Sequence, residues 1–111
     1  MFELSGKTAL VTGAGSGIGA SIAQLFARAG AFVGVIDKNA EAVQATTKLI
    51  QQEGFKASPH DLDVTEDRAC QSMVGGFQDH HGKVDVLVNN AGIGHVGTLI
   101  QTKGADMDRM Y

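Results

Sequence analysis

Short apolar runs alternate along the chain with longer stretches in which apolar residues recur every three or four positions, a pattern that predicts strands separated by helices. Residues 7–12 and 31–36 are Val- and Ala-rich, each closed by Gly or Asp, as expected of strands covered on both faces of a parallel sheet. Residues 84–88 form a third such run. Residues 55–60 predict an edge strand, because Pro59 lacks the N–H that a central strand needs. Between the runs, Ile18, Ile22, Leu25, Phe26 and Ala29 fall on one face of a helix that stops at Gly30. Asn39 suits the N-cap of a second helix, with Val43, Thr46, Thr47 and Ile50 as its inner face and Gly54 beyond its end. Thr65 suits the cap of a third, with Glu66 and Asp67 in its first turn and a stripe of Cys70, Met73, Val74 and Phe77. Gly75 and Gly76 weaken that last helix by about 1 kcal/mol each relative to alanine. The order is βαβαβαβ, an α/β layered sheet with right-handed crossovers.

Composition narrows the class. The 111 residues are 43% hydrophobic and 19% charged, values of one soluble globular domain. Nine Lys plus Arg against twelve Asp plus Glu give a net charge of −3 with no run of either sign, which argues against nucleic acid as a partner. The longest strongly apolar stretch, 31–36, is far below the roughly 20 residues that cross a bilayer, so no membrane span is expected. Glu3 stands where a secretory signal would be basic, and the expected location is cytoplasmic. A single cysteine, Cys70, reads as a small buried apolar residue. The adjacent His80 and His81 point in different directions on a helix and are expected to be solvated; His60 with Asp61 and Asp63 lacks a second cluster, so no metal is expected.

The chemistry concentrates in residues 12–19, Thr-Gly-Ala-Gly-Ser-Gly-Ile-Gly, between the first predicted strand and the first helix. A pyrophosphate needs unblocked backbone N–H groups at a helix N-terminus, and glycines remove the side chains that would hold it away. Gly15, Gly17 and Ala20 satisfy G-x-G-x-x-G/A, and Gly13, Gly17 and Gly19 satisfy G-x-x-x-G-x-G; no Gly-Lys-Ser/Thr is present, which excludes a P-loop. Asp37 closes the second strand twenty positions after Gly17, where an acid accepts the hydroxyls of an adenosine ribose. Such a carboxylate repels a 2′-phosphate, by roughly a few kcal/mol if partly desolvated, which favours NAD over NADP; Lys38 beside it offsets part of the repulsion.

With these residues the chain resembles the short-chain dehydrogenase/reductase family over its whole length. The glycine run looks like that family's cofactor loop, and Asn89-Asn90-Ala91-Gly92 after the fourth strand looks like its second signature. The resemblance implies a Rossmann-type doubly wound parallel sheet of which this chain supplies strand order 3-2-1-4, leaving residues 84–88 as an open edge. It implies cofactor contacts from Gly13, Ser16, Gly17, Gly19, Asn90, Ala91 and Gly92, a backbone contact to the diphosphate from Ile18, adenine flanked by Asp63 and Val64, and a sheet-bracing role for Asn89. The family's proton-transferring Ser and Tyr-x-x-x-Lys have no counterpart, since the sole tyrosine is Tyr111; no catalytic residue is therefore assigned.

The expectation is a single NAD(P)-binding Rossmann domain over residues 1–111, the N-terminal portion of an enzyme of about 250 residues, a size at the upper end for one domain. Residues 102–111 resemble the opening of a helix, and the isolated fragment is expected to be prone to aggregation. The implied activity interconverts a secondary alcohol and a ketone, with a homodimer or homotetramer as the intact form. The alternatives are an NADPH-dependent 3-oxoacyl-carrier-protein reductase and a non-catalytic dinucleotide-binding module. A methyltransferase also pairs a glycine loop with a strand-end acid, but has no place for Asn89-Asn90-Ala91-Gly92.

Overall fold

Strands form where the apolar runs stand: β1 (Thr8–Thr12), β2 (Phe32–Asp37), β3 (Ala57–Asp61) and β4 (Val86–Asn89), followed by a two-residue strand, β5 (Arg109–Met110). The helices are α1 (Gly17–Arg28), α2 (Ala40–Gln52) and α3 (Asp67–His81). The computed structural model describes residues 3–15, 17–63, 65–90 and 109–110, with backbone alone at 67, 109 and 110. All strand pairs are parallel, in the order β3-β2-β1-β4-β5.

Two expectations change at β5. The outer side of β4 is not fully open, because Val86 and Leu87 pair with Arg109 and Met110. Those two residues are extended rather than helical, and 102–108 and 111 lie outside the described residues. A buried strand has N–H and C=O groups on both sides, and pairing satisfies those that water does not reach.

Alternation along each strand divides the core in two. Ala9, Val11, Val33, Val35, Val86 and Val88 point to one face, where they meet Ala23 and Ala27 of α1 and Val43 and Ile50 of α2. Leu10, Ile36 and Leu87 point to the other, against Cys70, Met73, Val74 and Phe77 of α3. The result is a three-layer sandwich with two helices on one side and one on the other. The inner faces expected of α2 and α3 are the buried ones.

That of α1 is not. Its buried residues are Gly19, Ala23 and Ala27, Ile22 and Phe26 pack at the margin, and Ile18 and Leu25 are 72% and 49% exposed. The expected face contains the large apolar residues, but the small ones set how closely the helix approaches the sheet. Only small residues fit the line of closest contact.

The third helix is capped one residue later than expected. Its N-cap is Glu66, without a side-chain hydrogen bond, while Thr65 donates from both its N–H and its hydroxyl to Asp63 Oδ1. The double glycine does not break it. At the far end His81 is half-buried instead of solvated, with its ring 4.2 Å from that of Phe32 and 4.4 Å from that of Phe77; His80 is exposed.

β3 is the terminal strand on its side of the sheet among the described residues, as Pro59 requires. Lys56 accepts from Val33 N–H, and Leu62 donates to the Asp37 carbonyl, so the even-numbered residues of this segment bond inward. Pro59 belongs to the alternate set, whose N–H groups face outward, and the ladder to β2 loses no bond.

Candidate functional site

β1 lies between β2 and β4, so the chain leaves it in one direction through β2 and β3 and returns to its other side at β4. The carboxyl ends on either side of that reversal frame a crevice, the usual ligand position in an open α/β sheet. The glycine turn between β1 and α1 stands at its centre, Asp37 at the end of β2 on one side, and Asn89 and Asn90 at the end of β4 on the other.

The turn has the backbone its glycines allow. Gly13 has φ 64° and Gly17 φ 59°, left-handed values that cost other residues energy. At Gly19 space is the constraint, since an added Cβ would lie 2.0 Å from the Gly13 carbonyl oxygen and 2.8 Å from Asn90 Nδ2. The amide of Asn90 donates to that same Gly13 carbonyl at 3.3 Å. Gly13, Gly19 and Asn90 are thus in one place. The first turn of α1 carries no acidic side chain of its own, which leaves the positive end of the helix dipole available to an anion. Ile18, the second residue of α1, projects outward.

Asp37 is half-buried and already holds two backbone donors: Gly15 N–H on Oδ2 at 3.0 Å and Asn39 N–H on Oδ1 at 3.1 Å. It therefore combines local capping with placement beside the glycine turn. Each carboxylate oxygen retains a further lone pair, so the group can still accept from a diol. Asp63 stands two residues beyond β3, next to Leu62, whose N–H donates to the Asp37 carbonyl at 3.0 Å. The Thr65 hydroxyl and N–H hold the Asp63 carboxyl below its ordinary range, with a smaller contribution from Lys38. Ser16, Val64, Ala91 and Gly92 lie outside the described residues.

Asn89 acts at the sheet. Its Oδ1 accepts from the Thr12 hydroxyl at 3.2 Å, and the same hydroxyl lies 3.3 Å from the Val88 carbonyl, tying the ends of β1 and β4. Two residues here were not assigned to the site from sequence. Thr12 reads as a strand residue and Thr46 as part of the apolar face of α2, yet the Thr46 hydroxyl donates to the Gly15 carbonyl at 3.2 Å. The available signal was a pair of hydroxyls at positions otherwise buried and apolar. Among the described residues no group of three His, Cys, Asp or Glu could hold a metal ion.

A parallel sheet with a glycine turn at its reversal point and a strand-end acid beside it defines a Rossmann-type nucleotide fold. The family model for short chain dehydrogenases matches residues 7–111, and the chain belongs to that family. It is 40% identical over 108 residues to gluconate 5-dehydrogenase of Gluconobacter oxydans, covering 97% of this chain and 42% of that protein. It resembles the structure of a 7α-hydroxysteroid dehydrogenase complexed with NADH and 7-oxo glycochenodeoxycholic acid (TM-score 0.74, 44% identity, 78% of this chain and 34% of that one). It also resembles a metagenomic short-chain oxidoreductase in complex with NADP (TM-score 0.77, 40% identity, 81% of this chain and 41% of that one). The chain spans less than half the length of these proteins. No helix among the described residues is long and apolar enough to cross a membrane.

Proposed function

We propose that residues 1–111 form the dinucleotide-binding part of an oxidoreductase that interconverts a secondary alcohol and a ketone, with NAD preferred over NADP. The observation that carries this reading is the position of Asp37, 3.0 Å from the Gly15 N–H of a glycine turn that opens α1 at the reversal point of the sheet. Backbone N–H groups at the start of α1, around Gly17, Ile18 and Gly19, suit a pyrophosphate, and the tight packing of Gly19 on Gly13 keeps that end free of side-chain bulk. Asp37 accepts the ribose hydroxyls. Asn90, fixed on the Gly13 carbonyl, lines the same crevice with a neutral amide. When bound, the coenzyme supplies the hydride acceptor or donor, and this chain's residues bind and orient it.

Relatives divide on the coenzyme, one structure containing NADH and another NADP, so the preference rests on Asp37. A 2′-phosphate next to that carboxylate brings like charges together. Gluconate and hydroxysteroid dehydrogenases among the relatives support the alcohol–ketone chemistry without selecting a substrate. Calorimetric titration of the full-length protein containing this chain tests the reading: NAD should bind at least tenfold more tightly than NADP. Equal or tighter NADP binding would favour the NADPH-dependent reductase class, and no heat from either coenzyme would remove the dinucleotide reading.

A further inference from the structure

The glycines and Asp37 leave one well-placed side chain without a role. Thr46 is 3% exposed, its neighbours on the inner face of α2 are Val43, Thr47 and Ile50, and its hydroxyl donates to the Gly15 carbonyl at 3.2 Å. The other side of Gly15 is also held, by the N–H that donates to Asp37 Oδ2 at 3.0 Å. Because peptide units are planar, the N–H anchor orients the unit before Gly15 and the carbonyl anchor the unit after it.

Both anchors come from the second strand–helix unit. Asp37 ends β2, Thr46 stands on α2, and Asn39 joins them: its N–H donates to Asp37 Oδ1 at 3.1 Å while its Oδ1 accepts from Ala42 N–H at 3.0 Å, capping α2. The connections close a ring from Gly15 through Asp37, Asn39 and α2 to Thr46 and back. Gly15 is packed closely within it, since a Cβ there would lie 2.7 Å from Ala42 Cβ and 2.8 Å from Asp37 Oδ2.

We propose that Thr46 is a positioning residue for coenzyme selection, holding the Gly15 carbonyl so that the Gly15 N–H keeps the Asp37 carboxylate turned toward a ribose diol. The inference rests on the dinucleotide reading above. Without the Thr46 hydroxyl the Gly15 carbonyl loses its anchor, Gly15 can shift, and its N–H loosens from Asp37 Oδ2, so the carboxylate, then held by Asn39 N–H alone, regains part of its side-chain freedom. A mobile carboxylate binds the diol less well, and it also turns away from a 2′-phosphate. The two coenzymes therefore respond in opposite senses, whereas a purely structural loss would weaken both.

The test is the ratio of NAD to NADP dissociation constants, measured by calorimetry on the full-length protein and its Thr46→Val and Thr46→Ser variants. Thr46→Val keeps the branched shape and removes the donor. It should raise the NAD constant roughly three- to tenfold, the value of one neutral hydrogen bond, while the NADP constant stays level or falls. Thr46→Ser should restore the wild-type ratio. Equal weakening of both coenzymes, an unchanged ratio, or a serine variant that behaves like valine would overturn the proposal. Should Thr46→Val not fold, Thr46→Ala reads the same ratio. If the wild type binds neither coenzyme, the dinucleotide reading fails and this inference with it; if it binds NAD and the variants keep its ratio, only this inference fails.

Discussion

Gly19 illustrates how one missing side chain sets the geometry of a site. The Gly13 carbonyl occupies the space a Cβ would need, and backbone cannot swing aside as a flexible side chain can. Gly19→Ala should destabilise the protein by roughly 1–3 kcal/mol and weaken coenzyme binding at least tenfold, read by thermal melting and calorimetry. The sequence marks Gly19 because glycine recurs there at a motif spacing. It does not mark Thr46, since a threonine among Val43, Thr47 and Ile50 looks like any β-branched residue on a buried helix face. Asp37 is intermediate: its distance from the glycine run points to the site, but only the structure shows two of its acceptor positions already engaged by Gly15 and Asn39.

Strand and helix order was legible because burial on both faces of a parallel sheet leaves continuous apolar runs, and because Asn39 caps α2 where its side chain can reach Ala42 N–H. The orientation of α1 was legible only in part. Hydrophobic periodicity weighs residues by apolar size, yet contact distance is set by the smallest ones, and Gly19, Ala23 and Ala27 outrank Ile18 and Leu25 for the inner line. The cap of α3 was displaced by a competing local hydrogen bond, that of Thr65 to Asp63. Gly76 in the same helix offers a check on the propensity argument. It lines an open cleft of about 840 Å³ between β3 and α3, and a Cβ there meets nothing within 4 Å. Gly76→Ala should therefore stabilise the protein by up to about 1 kcal/mol, seen as a raised denaturation midpoint; a lowered midpoint would mean the helix is not the continuous element described.

For the molecule as a whole, that cleft gathers the three histidines among the described residues, His60, His80 and His81. Burial holds His60 below the usual histidine value of 6.5, as does the neighbouring His81, against a smaller opposing pull from Asp61. Burial lowers His81 as well, with His80 adding to it. A depressed folded pKa means the unfolded chain takes up protons first. The stability these imidazoles contribute is complete above about pH 6.5 and declines as pH falls toward their folded values. The melting temperature should drop between pH 7 and pH 5.5, and less steeply in a His60→Gln variant; an identical slope would place the sensitivity elsewhere.

The opposite boundary of the sheet from β5 behaves differently from an ordinary strand margin. Pro59 turns a donor-free position outward in the middle of β3, so a second polypeptide laying itself along that side would meet a gap in the hydrogen-bond row at the point of closest pairing. Sheet extension through that border, whether into fibrils or into a β-linked assembly, is closed off by one imino acid.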